Sequence, residues 1–304
     1  MKNKSQKLSI NPITKKKYHI PQELDDKKNL DKFIRNNPKK KVVVVQGLGF
    51  VGSVMSIVCA NSLKEEYAVI GVDLPTEENF WKIASINNGI FPLSAEDKKI
   101  DLFFQKAMEK GNFYATYDSY AYSLADIIIV DVNLDVQKNI KDNYLLNDFD
   151  LDLSSFKSAI NSIGENCKED VLVLVETTVP PGTCKKVVMP ILKNKLNQRG
   201  LSDSKFKLGH SYERVMPGPD YIDSIQNFYR VFSGINTKSA NSTKKFLKSI
   251  INTDEYPLTM LNNTNATEMA KVLENSYRSM NIAFIVEWSR FAEEAGVDLY
   301  KVVE

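Results

Sequence analysis

The residues with the plainest chemical purpose form Gly47-Leu48-Gly49-Phe50-Val51-Gly52, a G-x-G-x-x-G run, with Asp73 standing 21 positions after its last glycine. Glycine at the first position permits a tight turn, at the second lets backbone approach a pyrophosphate, and at the third lets a helix pack closely on a strand. Amide donors and the positive end of a helix dipole then face the pyrophosphate, while Asp73 accepts hydrogen bonds from an adenosine ribose. A carboxylate there repels a 2′-phosphate, so the pattern points to NAD rather than NADP. Lys271 and Asn275 stand four apart and share one face of any helix that carries them. An ammonium beside a carboxamide offers two donors to a developing oxyanion. The same pair also suits a surface lysine with a polar neighbour, and the residues alone leave both readings open.

Particular elements are needed to hold these groups. Val42–Val45 is a β-branched run without polar alternation, as in a strand buried on both faces, and Ser53–Leu63 has small and apolar residues at helical spacing. Ala68–Val72 is a second strand that delivers Asp73 at its end. Ala125–Val132 and Val171–Val175 read as further buried strands with a helix over Leu153–Ile163 between them. The alternation predicts an α/β fold, a doubly wound Rossmann-like parallel sheet with ligands at the C-terminal strand ends, followed by a mostly helical segment whose long helix suits a spine between domains or a dimer interface. Two strand ends stand out: Asp131-Val132-Asn133, and the rigid, hydroxyl-rich Glu176-Thr177-Thr178-Val179-Pro180-Pro181-Gly182-Thr183. Thr183 reads as a helix N-cap. A long helix is expected from about Asn265 to Ala295, capped by Asn265 with Glu268 three residues on, and stopped by Gly296.

Composition sets the outer limits. With 43% hydrophobic and 26% charged residues the chain is neither disordered nor fibrous, and 304 residues suffice for about two domains. Cys59, Cys167 and Cys184 show no metal-ligand spacing and are odd in number, which favours a reducing compartment, and the apolar runs are too short to span a bilayer. A cytoplasmic protein with no metal centre is expected. The net charge of +2 hides an asymmetry: residues 1–41 hold 13 basic and 4 acidic residues, whereas the remainder is acidic. This leader reads as a solvated, partly mobile tail, and the acidic body argues against a nucleic-acid partner.

The glycine turn, Asn88-Gly89-Ile90-Phe91-Pro92-Leu93, the threonine turn, Tyr212–Gly218 and Glu268–Arg278 together resemble the nucleotide-sugar 6-dehydrogenases, the UDP-glucose/GDP-mannose dehydrogenase family, in the family's order from about Lys41 onward. Glu274–Arg278, Asn281-Ile282-Ala283 and Pro217, where the UDP-glucose branch has a second glutamate, place the wording nearer the UDP-N-acetylmannosamine/UDP-N-acetylglucosamine branch. The resemblance implies oxidation of a UDP-sugar C6 alcohol to a carboxylate with two NAD and two hydride transfers, for surface polysaccharide precursors, in a homodimer joined through the central helix. It implies that Thr178 lies by the nicotinamide and orders water, that Glu213 is a general acid/base or water-orienting group, and that Lys271 and Asn275 hold the C6 oxygen. Gly47, Leu48, Gly49, Phe50, Val51, Gly52, Asp73, Asn133 and Thr178 would hold NAD, and Glu213, Arg214, Val215, Lys271 and Asn275 the substrate.

One departure is informative. The family's nucleophilic cysteine sits in a glycine-rich loop beyond the long helix, and none of the three cysteines matches that setting. The expected organisation is therefore a basic N-terminal extension over 1–40, an NAD-binding domain over 41–236 and a central helical domain over 237–304, incomplete at its C-terminus, with NAD binding but not full turnover. Two alternatives remain: a β-hydroxyacid-type dehydrogenase, which also pairs a glycine-rich turn with Lys and Asn four apart, and a non-catalytic NAD-binding or dimerisation protein.

Overall fold

The computed structural model describes residues 7–134, 136–140, 146–212 and 218–303, with backbone only over 136–140 and 146–150 and at 303. In chain order a hairpin of β1 (Leu8–Ile10) and β2 (Lys17–His19) precedes α1 (Lys27–Asn36), β3 (Lys41–Gln46), α2 (Phe50–Ala60), β4 (Tyr67–Val72), α3 (Phe80–Asn87), α4 (Lys98–Lys110) and β5 (Phe113–Thr116). Then come α5 (Tyr120–Leu124), β6 (Ile127–Val130), β7 (Val136–Ile140), β8 (Leu146–Leu151), α6 (Ser154–Asn166) and β9 (Leu172–Val175). A π-helical turn (Cys184–Val188) runs into α7 (Met189–Gln198), followed by β10 (Lys207–Ser211), α8 (Tyr221–Gln226), β11 (Val231–Gly234), α9 (Thr237–Ile250), β12 (Thr259–Met260), α10 (Thr264–Glu294) and α11 (Leu299–Val303).

The eight-stranded sheet has the order β12-β11-β10-β9-β6-β3-β4-β5. The six strands from β10 to β5 run parallel, and β11 pairs antiparallel with β10. Both faces are covered, as the unbroken apolar strands require. Along β3, Val43 and Val45 face one core while Val42 and Val44 face the other. Strand order reverses between β3 and β6, so the loops leaving these strands open a crevice at the C-terminal sheet edge.

Residues 7–36 correct the expectation of a solvated tail. Tyr18 and Ile20 join one core, and Leu30 and Phe33 of the amphipathic α1 join the other. The charges lie outside that stripe: Leu30 and Phe33 are three apart, one helical ridge, and the lysines flank it. Each such side chain stabilises docking by about 1.5–3 kcal/mol, which offsets part of the cost of ordering the segment.

The long helix α10 appears where expected, but its N-cap is Asn263, whose side chain accepts from the Ala266 amide at 3.0 Å. Glu268 is therefore not part of a capping box with Asn265. It is fully buried and reaches across to the threonine turn, where it accepts from the amides of Gly182 and Cys184. Thr183 does not cap either, since its hydroxyl donates to Pro180 O at 2.7 Å. Only the N-terminal part of α10 packs on the sheet; Tyr277, Met280, Phe284, Trp288 and Phe291 stand exposed.

Candidate functional site

The glycine turn forms as its composition demands. Gly47 has φ +98°, and a Cβ there would lie 2.4 Å from Asp131 O. A Cβ on Gly52 would lie 1.9 Å from Gly47 O, so the helix can sit this close to the turn only as glycine. Gly49, by contrast, faces open space. It is also the N-cap of α2 and supplies no side-chain cap, which leaves the first-turn amides without one. Leu48 has a different part: its side chain is buried against Gly71, and its amide donates to Asp73 Oδ2 at 3.1 Å.

At the end of β4, Asp73 also accepts from the Leu74 amide at 2.7 Å and from Lys82 Nζ at 3.0 Å. Lys82, on α3, is held in turn by Asn79 Oδ1 at 2.7 Å. The sequence drew no attention to Lys82; the signal lay in its nine-residue separation from Asp73, which has no meaning until α3 folds back on β4.

These groups open into one cleft of about 1190 Å³. Gly47, Gly49, Phe50, Val51, Asp73, Asn133, Thr178 and Asn275 all line it, although Asn275 comes from α10 and the glycines from the first loop of the main sheet. Thr177 also lines the cleft, but its hydroxyl is engaged: it donates to Val130 O and accepts from the Val132 amide, both at 3.0 Å, tying the end of β9 to β6. This directs the neighbouring Thr178 to the cleft. Beside it Glu176, fully buried, pairs with Arg230 at 2.8 Å. That pair carried no sequence signal because its partners lie 54 positions apart.

Lys271 lies one turn before Asn275 on α10 and is buried, with its Nζ 5.1 Å from the centre of the Tyr212 ring. It does not line the cleft as Asn275 does. His210, on β10, is fully buried beneath it and shares a 2.9 Å hydrogen bond between Nδ1 and Thr267 Oγ1. Burial first, and then the charge of Lys271, pull its pKa down to about 3, so the ring is neutral. Glu213, Arg214 and Val215 lie outside the described residues. Burial pushes the thiols of Cys59, Cys167 and Cys184 up, which suits packing rather than reaction. Among the described residues no cluster of His, Cys, Asp or Glu could hold a metal ion, and no helix is long and apolar enough to cross a membrane.

The residues fit a dinucleotide. An uncapped helix start behind glycine backbone suits a pyrophosphate, and the Asp73–Lys82 pair supplies an acceptor and a donor for a ribose diol.

Comparison with known proteins agrees with this arrangement. Residues 40–251 match the NAD binding domain of the UDP-glucose/GDP-mannose dehydrogenase family, and residues 265–304 match its central domain. A UDP-N-acetyl-D-mannosamine dehydrogenase of Pyrococcus horikoshii is 29% identical over 262 residues, covering 86% of this chain and 56% of the relative. One from Methanococcus maripaludis is 29% identical over 265 residues, covering 87% and 54%. The solved structure of the Pyrococcus horikoshii UDP-D-ManNAc dehydrogenase superposes with a TM-score of 0.68 at 28% identity, over 86% of this chain and 56% of that one. The chain thus spans about half the length of the relatives it matches. With the glycine turn, the sheet order and the matched spans in agreement, the chain belongs to the UDP-glucose/GDP-mannose dehydrogenase family and carries its NAD binding domain.

Proposed function

We propose that this protein takes part in the NAD-dependent oxidation of a nucleotide-sugar C6 alcohol to the carboxylate, with a UDP-N-acetylhexosamine as substrate. One observation carries the reading: a single cleft gathers the glycine turn, Asp73, Thr178 and Asn275. The relatives named UDP-N-acetyl-D-mannosamine dehydrogenase support the choice of sugar.

NAD, when bound, supplies the hydride acceptor. The chain's own residues do the rest. Backbone at Gly47 and Gly49, with the uncapped start of α2, holds the pyrophosphate, and Asp73 with Lys82 holds the adenosine ribose. Asn133 and Thr178 flank the nicotinamide end, where Thr178 orients water. As hydride leaves C6 the alcohol proton passes to a base, for which Glu213 is assigned, and Lys271 and Asn275 donate to the oxygen as it gains charge. The second oxidation would pass through the family's nucleophilic cysteine, whose setting none of Cys59, Cys167 and Cys184 matches, so these 304 residues are expected to bind NAD without full turnover. Arg214 and Val215 complete the substrate side.

In this reading residues 41–236 form the cofactor unit and 237–304 begin the central helical unit, with α9 packed on the sheet beside that division. The exposed apolar side of α10 covers itself against a second copy, giving a homodimer. Three buried thiols suit a reducing cytoplasm.

Calorimetric titration of the 304-residue chain with NAD, followed by UDP-N-acetylmannosamine while reduced nicotinamide is monitored, tests the proposal. NAD binding, with a sugar-dependent signal that Lys271→Ala and Asn275→Ala abolish, is expected. Absence of NAD binding would sink the cofactor reading. Hydride transfer with small β-hydroxyacids and no need of UDP would replace the sugar reading with the β-hydroxyacid one.

A further inference from the structure

Residues 7–36 lie outside the family match, which begins at residue 40, yet they grip both walls of the cleft where the adenosine ribose would sit. On the first wall Ser9, fully buried, donates through its hydroxyl to Glu77 O at 2.6 Å and accepts from the Trp81 amide at 2.9 Å. That spans the turn leading into α3, and the next residue is Lys82. Asn11 and Tyr18 both bond the Ser85 hydroxyl, at 3.3 and 3.2 Å, one turn further along α3.

The second grip is centred on Asp26, which is 7% exposed. Its carboxylate accepts from Thr116 Oγ1 at 2.7 Å and from the Tyr114 hydroxyl at 3.0 Å. The carbonyl of the same Thr116 accepts from the Asp73 amide at 3.1 Å. The Asp26 amide donates to Asp118 Oδ2 at 2.9 Å, between Tyr117 and Ser119, which line the cleft.

Within the segment 74–79 the bonds are short-range, such as Asn79 Nδ2 to Thr76 Oγ1 at 3.1 Å and the Trp81 ring to Glu78 O at 2.9 Å, and Ser9 adds a tie from outside it. The N-cap of α3, Asn79, makes no side-chain cap, and Lys82 must be placed against Asp73 across that turn. Ordering such a segment on ligand binding costs about 1–2 kcal/mol per residue, which pre-ordering avoids. We propose that residues 7–36 are a built-in brace for the adenosine end of the cofactor cleft, with Ser9 and Asp26 as positioning residues for the ribose-reading pair Asp73 and Lys82. The inference rests on the cofactor reading above.

The test uses the full chain carrying Ser9→Ala or Asp26→Asn, one variant on each arm, so that failure of either to fold leaves the other decisive. Calorimetry is run with NAD and with an analogue whose adenosine ribose is 2′-deoxy, and thermal melts confirm folding. Each variant is expected to weaken NAD about three- to tenfold, the worth of one buried hydrogen bond, and to weaken the 2′-deoxy analogue much less. Equal losses for both ligands would mean only a general structural role and would overturn the proposal, as would unchanged NAD affinity in a folded variant. Wild-type chain that binds no NAD overturns the cofactor reading and the brace with it. Wild-type binding with indifferent variants overturns the brace alone.

Discussion

Asp73 is held by three donors at once, the amides of Leu48 and Leu74 and the ammonium of Lys82, before any ribose is present. A carboxylate has room for about four, so one ribose hydroxyl can still donate to it, and the ion pair sets its direction. Replacing Asp73 with Asn is expected to weaken NAD roughly tenfold, the range of a charge-assisted hydrogen bond. It should also narrow the preference over NADP, because the released Lys82 ammonium can meet a 2′-phosphate. Paired titrations with NAD and NADP check both. His210 makes a second residue-level case. Its folded pKa, near 3, is depressed from the ordinary 6.5, so below that ordinary value the unfolded chain takes the proton first. The stabilisation from the neutral ring is complete above about pH 6.5 and is lost as pH falls toward 3, by roughly 1.4 kcal/mol per unit. Urea midpoints measured between about pH 7 and pH 5 should fall for the wild type, and His210→Gln should flatten that slope.

At the scale of elements the junction between α10 and the threonine turn rests on Glu268. Its buried carboxylate takes two amides from the turn, and Lys271 is one helical turn farther along α10. Glu268→Ala strands both amides in the interior and is expected to cost about 2–4 kcal/mol, seen as a lowered denaturant midpoint. Glu268→Gln, which keeps one acceptor, should cost less. The sequence led elsewhere here, to a capping box with Asn265, because an Asn followed three residues later by Glu satisfies the local rule. Asn263 took the cap instead, and Glu268 found its donors 86 and 84 residues away. Local patterns rank such choices only until a distant partner competes.

For the whole molecule, the feature with most consequence is the 31-residue helix α10, about 46 Å long, of which only the first turns pack on the sheet. The rings of Phe284, Trp288 and Phe291 follow one another with centres 5.9 and 5.6 Å apart along its exposed part. An apolar face of this extent is costly to leave in water. Under the homodimer reading, Trp288→Glu should shift the sedimentation coefficient toward monomer at micromolar concentration, with NAD affinity preserved because the cleft lies by the helix's packed first turns.

The glycine turn, Asp73, the buried strands and the long helix were legible because each is written in contiguous residue types: β-branched runs, glycines at fixed offsets, and an uninterrupted helical stretch closed by Gly296. The folded leader was not, since Leu30 and Phe33 are two apolar residues among many charges and acquire meaning only against the core that receives them. Lys82, the Glu176–Arg230 pair and His210 beneath Lys271 were equally silent, because their partners are set by sheet order and helix packing. The amino-acid sequence by itself determined the backbone chemistry of the cofactor turn and the succession of strands and helices, which depend on local conformational energies. The tertiary structure alone decided which charges are buried together, that Asn275 meets Thr178 in one cleft, and that residues 7–36 pack against its walls. Those outcomes depend on contacts between distant segments that compete for the same donors and the same apolar surface.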